Sequence, residues 1–341
     1  MEVLPRISFC TTCMNRLHHL QSTFLKNIQD NIRYNNIEFV LLNYGSKDNL
    51  DDWVYKRLKS LITEGTVVYL KTEEPKYWNA AHAKNIAAIY SSGDVICNID
   101  ADSFAGSDFA MYVSMYFKRP GQFFLSGRIP AIPSDCMGRN CIRRKHYFDV
   151  RGYDERILGY GYEDQDIYSR LRASGIKEIE IDRVYLTTIN HSNFDRVART
   201  IFFDEVESIL VSEASQQTGV LIFKKDFQYE HFVLTKFMDS ARIDEDRSER
   251  GVWREHDKDV RMLSEINSRR SIKLEGVGPD CYFYGGSVYR KVSDSNIKNT
   301  NVLFHCQLLT NQRIYRENIL NRNAIVNSAG FGLGEVQKNF R

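Results

Sequence analysis

Two rhythms of apolar and polar positions alternate along the first third of the chain. Short runs rich in apolar and β-branched residues, at Arg6–Thr11, Glu38–Asn43, Thr66–Leu70, Asp94–Ile99 and Gln122–Ser126, predict strands. Longer segments between them, at Leu20–Arg33, Leu50–Ile62, Asn79–Tyr90 and Asp108–Phe117, predict helices. In the second of these, Leu50, Trp53, Val54, Leu58 and Leu61 recur at helical spacing, and the third is Ala-rich and stops near Gly93. Repeated strand–helix–strand units of this length predict an α/β fold, a mostly parallel sheet with helices on both faces. Ligands of such sheets sit beyond the carboxyl ends of the strands. Thr11–Thr12, Asn43–Ser46 and Asp100–Asp102 all fall at such ends and are expected side by side on one rim. Val184–Ile189 reads as a further strand. Past about residue 215 the rhythm weakens, so a first domain over 1–215 and a C-terminal extension over 216–341 are expected. Within the extension, Ser240–Asp259 is dense in mixed charge and reads as either a solvated helix or a loop. CYFYGG at Cys281–Gly286 and the Gly-rich tail VNSAGFGLGEVQKNF belong to a second compact part.

Composition narrows the function without naming it. The 341 residues are 43% hydrophobic and 26% charged, as in a globular chain. Lys+Arg total 46 against 44 Asp+Glu, and a net charge of +2 offers nucleic acid no attraction. No apolar run approaches the ~18 residues of a membrane span. The opening MEVLPRISFCTTC lacks a basic-then-apolar leader pattern. The seven cysteines are an odd number, scattered and partly in apolar contexts, which suits a reducing compartment. Cys10 and Cys13 form C-x-x-C, but the pair straddles a strand end instead of opening a helix. Two small residues closing a strand is the simpler reading, ahead of a redox pair or a zinc site with Cys136 and Cys141.

The chemistry is concentrated in acidic residues. In VICNIDADSF a predicted buried strand ends in Asp100 and Asp102. Paired carboxylates repel unless a cation lies near, and oxygen ligands favour Mg²⁺ or Mn²⁺. Alone, D-x-D also fits simple helix capping. Upstream, WNAAHAKNIAAIY carries Lys84 and Asn85 on the Ala-rich helix. Downstream, GYDERILGYGYEDQDIYSRL places Glu163, Asp164 and Asp166 in the first turn of a helix, after a loop punctuated by Gly152, Gly159 and Gly161. One cap needs one acid, and here there are three. His191 follows in INHSNFDRV.

Asn-x-x-x-Ala-Lys-Asn, D-x-D, G-Y-G-x-E-D-x-D, H-S and F-D-R occur here in an order that resembles the inverting nucleotide-sugar glycosyltransferases of the GT-A fold. More narrowly, the chain is similar to the branch with the β-1,4-galactosyltransferases and chondroitin-polymerase-like enzymes, and up to Gly93 to the family two glycosyltransferases. The resemblance covers roughly residues 5–205. It implies a Rossmann-like GT-A domain; the C-terminal extension has no counterpart in the short animal enzymes and is expected on the acceptor side, because the nucleotide rim is already complete in the first half. The resemblance implies Asp102 and His191 as ligands of Mn²⁺ or Mg²⁺, with Asp100 contacting ribose or metal-bound water. Thr11, Thr12, Arg16, Asn43 and Ser46 would line the nucleotide, and Lys84 the diphosphate. Asp164 would be the base, beside Glu163, with Tyr160 and Asp166 on the acceptor side. The activity implied is transfer of a hexose or N-acetylhexosamine, galactose type favoured, from a UDP-sugar to a glycan or lipid-linked glycan. Surface-polysaccharide synthesis in the cytoplasm, with peripheral contact at the inner membrane face, is the expected setting.

Two positions depart from the family pattern. Tyr162 replaces a glycine of the loop, and Thr188 stands where the animal enzymes carry a metal-binding Met. Rival readings fit the residues less well. A sugar nucleotidyltransferase needs a Gly-rich basic loop after the first strand, where this chain has CTTCMNRLHH. A glycosidase needs two carboxylates but no nucleotide rim. An inactive sugar-nucleotide-binding module would not need Asp102, Asp164 and His191 together.

Overall fold

The computed structural model describes residues 4–127, 136–190, 192–213, 217–237, 240–244, 247–256, 259–265, 271–292, 300–321 and 325–340. They form two compact units, Met1–Ser192 with Asn311–Arg341, and Asn193–Thr310. The boundary expected at residue 215 thus has its counterpart at Ser192, and the end of the chain returns to the first unit.

The first unit opens as the hydrophobic rhythm predicts. Strand β1 (Ile7–Cys13) leads into helix α1 (Leu17–Asn31), β2 (Ile37–Tyr44) into α2 (Leu50–Thr63), and β3 (Val67–Thr72) into α3 (Ala80–Tyr90). Strand β4 (Val95–Asn98), the short β5 (Ser103–Phe104), α4 (Phe109–Phe117) and β6 (Phe123–Ser126) follow. Then come β7 (Asn140–Arg143), α5 (Arg144–Asp149), α6 (Glu163–Ala173), β8 (Lys177–Glu180) and β9 (Thr187–Thr188). Strands β3, β2, β1 and β4 lie side by side and parallel, and β7 joins β4 antiparallel. Cys13 pairs with Asn43 and Cys10 with Asn98, so the carboxyl ends of these three central strands share one rim.

Each face of the sheet is buried under helices. Phe9, Phe39, Leu41 and Cys97 pack with Leu20 and Phe24 of α1, Val54 and Leu58 of α2, and Phe109 and Val113 of α4. Cys10, Val40, Leu42 and Ile96 face the opposite way, against Ala83, Ile86 and Ala87 of α3 and Ile167 and Leu171 of α6. Burying each large apolar side chain contributes about 1.5–3 kcal/mol, which explains why continuous apolar strands settle here. Cys10 and Cys13 therefore point to opposite faces, and burial pushes the Cys13 thiol up to about 12. That is a strand alternation, with no redox or zinc geometry.

One predicted strand is corrected. Val184–Ile189 begins as a 3₁₀ turn at Arg183–Tyr185, capped where the Val184 N–H donates to Asp182 Oδ1 (3.2 Å). Only Thr187–Thr188 is extended, paired with β5. The Asp182 side chain competes with ladder bonding at the start of the run.

The second unit begins with short helices α7 (Asn193–Val197) and α8 (Ile201–Glu205). Strands β10 (Val206–Glu213), β11 (Gln217–Lys224), β12 (Gln228–Phe237), β13 (Ser240–Ile243), β14 (Glu249–His256), β15 (Asp259–Ser264), β16 (Ser271–Gly278), β17 (Cys281–Tyr284) and β18 (Ser287–Lys291) form an antiparallel sheet. Pairing of β11 with β12 closes it into a barrel, with β13 added outside the ring on β12. Both readings of Ser240–Asp259 are overturned, because its described residues supply β13, β14 and the start of β15. In β14 Trp253 packs on Phe223 (5.1 Å between centroids) while Arg250, Val252 and Arg254 lie on the opposite, exposed face. CYFYGG is β17 and its hairpin turn.

Helix α9 (Thr300–Leu320) starts in the second unit, where Leu303, Cys306 and Leu309 pack with Ile209 and Val220, and ends in the first. Strand β19 (Gln337–Lys338) then pairs antiparallel with β3. Among the described residues, no helix is long and apolar enough to cross a membrane.

Candidate active site

At the rim, the turns after β1 and β2 are tied to each other. The Ser46 hydroxyl donates to Cys13 O (3.3 Å) and accepts from the Asn15 N–H (3.0 Å). Asn43 builds the second turn: its Oδ1 accepts from the Ser46 N–H (2.9 Å), and its amide donates to Asp51 (2.8 Å) and Tyr69 (3.1 Å). Asn43, Thr11 and Thr12 are buried, and Arg16 is half-buried with Nη1 3.5 Å from His19 Nδ1. Of the expected nucleotide-side residues, Asn43 is thus spent on shaping the turn, and Arg16 and Ser46 line it.

The centre of the site is Lys84. It sits on α3, which is capped where the His82 N–H donates to Asn79 Oδ1 (3.2 Å), and is only 5% exposed. Its ammonium donates to Glu163 Oε1 (3.2 Å) and Asp164 Oδ1 (2.9 Å), both at the start of α6. Lys84, which the resemblance sets near the diphosphate, thus contacts the acidic loop. Asp164 Oδ1 also accepts from the Tyr153 hydroxyl (3.2 Å), which in turn accepts from the Asn140 amide (2.7 Å). Asp164 Oδ2 has no hydrogen-bond partner among the described residues.

Asp100 joins this cluster. A methyl built on Gly138 would lie 2.4 Å from Asp100 Oδ2 and 3.3 Å from Asp164 Oδ2, so the two carboxylates meet across this glycine. Only a residue without Cβ fits there without displacing Asp100. Asp100 is oriented from behind by the Asn98 amide (3.0 Å). Burial drives the Asp164 carboxyl up to about 7; Lys84 opposes the rise, and Glu163 and Asp100 add to it. Tyr160, half-buried beside the same carboxylates, has its hydroxyl pushed well up by burial and by their charge.

Asp102 lies against β9. The Thr188 hydroxyl is 3.2 Å from Asp102 O and 3.5 Å from its Oδ1, and the Ile189 N–H donates to Asp102 O (2.8 Å). His191 lies outside the described residues. Among the described residues, no group of three or more His, Cys, Asp or Glu side chains is placed to hold a metal ion. Asp100 and Asp102 are nevertheless hard oxygen donors of the kind Mn²⁺ and Mg²⁺ take. Asp166 is placed elsewhere. It is fully buried, with Oδ2 accepting from Arg170 Nε (2.8 Å) and Oδ1 from the Asn318 amide (2.8 Å), two helix positions round from Asp164.

Sequence reasoning missed Gly138, Asn140, Tyr153 and Arg139. Arg139 is 1% exposed, and none of its side-chain nitrogens has a hydrogen-bond partner among the described residues. Burial lowers its proton affinity, while Asp100 and Asp102 are among the charges that raise it, so a buried cation stands behind the D-x-D pair. No motif marks these residues, since each acts through a contact made far along the chain.

A sequence model described as glycosyltransferase like family 2 matches residues 9–117, and one described as the N-terminal domain of galactosyltransferase matches residues 135–193. Every residue placed in the site above lies inside one of these stretches. Both matches are to glycosyltransferase domains, which meet around the cluster of Lys84, Asp100 and Asp164. Similar solved structures include the Pyrobaculum calidifontis mannosyltransferase PcManGT in complex with GDP-Man and Mn²⁺, at 16% identity and TM-score 0.45, covering 54% of this chain and 56% of that one. S. aureus TarS in complex with UDP-GlcNAc is 11% identical with TM-score 0.46, covering 55% and 59%. The catalytic domain of Drosophila β1,4-galactosyltransferase 7 in complex with xylobiose is 16% identical with TM-score 0.39, covering 57% and 74%. The chain thus spans little more than half the length of the first two. No curated protein sequence matches the chain.

Proposed function

We propose that this chain is an inverting, metal-dependent glycosyltransferase that moves a hexose or N-acetylhexosamine from a UDP-sugar to a glycan hydroxyl, with Asp164 as the base. The meeting of Asp100, from a strand end, with Lys84-paired Asp164, from a helix start, across Gly138 carries this reading. A galactose-type donor, and a glycan or lipid-linked acceptor in polysaccharide synthesis, follow from the family resemblance. In the reaction, Asp164 Oδ2 takes the proton of the acceptor hydroxyl as its oxygen bonds to the anomeric carbon. The bond from that carbon to the diphosphate oxygen breaks, and UDP leaves from the opposite face, so the configuration inverts. Lys84 and Tyr153 hold Oδ1 and leave Oδ2 for the proton. Asp100 and Asp102, with His191, would hold a divalent cation, which when bound neutralises charge developing on the diphosphate.

Thermal shift with UDP-sugars, with and without Mn²⁺, tests the donor side. A ligand at ~100 times its dissociation constant stabilises by about 2.7 kcal/mol. The Mn²⁺-dependent shift is expected in the parent and lost in Asp102→Ala; an equal shift in both would remove Asp102 from the metal site. The acceptor side is read by pH. With the Asp164 carboxyl at about 7, kcat/KM for transfer is expected to rise with pH and reach half its plateau near 7. A flat profile from pH 5 to 9 would contradict a base of that proton affinity.

A further inference from the structure

The loop that delivers the acidic pair is strained. Gly159 (φ 69°), Gly161 (φ 96°) and Tyr162 (φ 72°) all lie in the left-handed region, immediately before Glu163 and Asp164. A tyrosine there is strained and persists only when its surroundings over-determine it. Those surroundings come from the far end of the chain. The Asn311 amide donates to Leu158 O (2.9 Å), Tyr160 O (3.0 Å) and Gly161 O (3.0 Å). One turn further along α9, the Tyr315 ring packs on Tyr162 (5.5 Å between centroids). The Asn318 amide donates to Asp154 Oδ2 and Asp166 Oδ1 (2.8 Å each), so it bridges the segments on either side of the loop.

The tail after α9 continues the pattern. Asn327 donates to Arg151 O (2.8 Å) and Tyr153 O (2.6 Å), and its Oδ1 accepts from the Glu155 N–H (3.2 Å). Arg151 answers by donating to Val326 O (2.9 Å) and to Asn327 O. The Gly332 N–H donates to Glu155 Oε1 (2.6 Å), which also accepts from Asn85 (2.8 Å), the neighbour of Lys84. Tyr153, whose carbonyl Asn327 holds, is the residue whose hydroxyl reaches Asp164.

We propose that Asn311, Asn318 and Asn327 are positioning residues: residues 311–340 clamp the segment from Arg151 to Asp166 and so set the place of the Asp164 carboxylate. This rests on the reading of Asp164 as the base. Asparagine recurs at the clamp because its side-chain amide carries two N–H donors, which Asn311 and Asn327 aim at backbone carbonyls and Asn318 at the Asp154 and Asp166 carboxylates. The C-terminal tail, which no motif explains, thereby acquires a task inside the transfer reaction.

Asn311→Asp tests the clamp in the full chain. It keeps the shape but turns a carboxylate toward three carbonyls. Since a misplacement near 1 Å costs about 10²-fold in rate, kcat for transfer is expected to fall about 10–100-fold. Donor KM should hold, the midpoint of the pH profile should move, and Asn311→Gln should restore part of the rate. Asn327→Gly keeps the left-handed backbone (φ 49°) and removes only the side-chain bonds, so it gives the same readouts should Asn311→Asp fail to fold. Parental kcat and pH midpoint in both variants, with Asp164→Asn inactive, would overturn the clamp alone. Near-parental transfer by Asp164→Asn would overturn the base, and the clamp with it.

Discussion

Asp164→Asn is expected to lower the rate of glycosyl transfer by about 10²–10⁴-fold, the usual contribution of a general base. The substitution is nearly isosteric. Asparagine can still accept at the Oδ1 position from Lys84 and Tyr153, so the start of α6 keeps its geometry. What it loses is an oxygen, Oδ2, able to take a proton. UDP-sugar affinity in the presence of Mn²⁺ should stay within a few-fold of the parent. The decisive comparison is transfer rate against donor affinity in the same variant. Near-parental transfer would hand the base to Glu163. Loss of donor binding would mean that the shared space at Gly138 belongs to the nucleotide and not to the acceptor.

Lys84→Met carries the largest expected effect on stability. Lys84 is the cation in hydrogen-bond contact with Glu163 and Asp164, and Asp100 lies in the same field. Removing one partner of a buried ion pair destabilises by about 3–5 kcal/mol, since it leaves charge without compensation. The loss has a sign in pH. The folded Asp164 carboxyl, at about 7, binds its proton more tightly than an unfolded one, near 4. Its contribution to stability is therefore full below about pH 4 and is lost as pH rises through 7. Without Lys84 the folded carboxyl rises further, so the destabilisation should be least in acid and grow toward neutral pH. Melting temperatures from pH 4 to 9 would read this directly. Parallel curves for parent and variant would show that Lys84 does not set the charge state of the pair. In turnover, the same variant should shift the pH midpoint of kcat/KM upward.

The site was legible wherever chemistry coincided with a strand end. Apolar strands between amphipathic segments settle into a buried parallel sheet because no other arrangement hides both their faces. That put Thr11–Thr12, Asn43–Ser46 and Asp100–Asp102 at strand ends on one rim, and the pairing of Cys13 with Asn43 and of Cys10 with Asn98 brings those ends together. The weight of three acids at the start of α6 also stood out, because a helix dipole accounts for one. It did not show that they divide: Asp164 turns to Lys84, whereas Asp166 turns to Arg170 and Asn318. Adjacent acids on a helix point in different directions, and which direction matters depends on what packs there.

The second unit was harder to read for a different reason. Ser240–Asp259 sets Arg250 and Arg254 on the outer face of a barrel strand, so a run dense in charge concealed a strand. At Val184–Ile189 the opposite happened, and β-branched residues suggested a strand that the Asp182 cap interrupts.

By itself the sequence determined the order of the main strands and helices as far as Ser126, the rim at their carboxyl ends, and the acidic character of the site. These follow from local periodicity and from residue chemistry, which act over a few neighbours. Only the tertiary structure decided that Lys84 pairs with an acid 80 positions away, that Gly138 lets Asp100 meet Asp164, and that Asn311, Asn318 and Asn327 brace the loop between. Such contacts join residues whose spacing has no period, and they form once burial has fixed the elements that carry them.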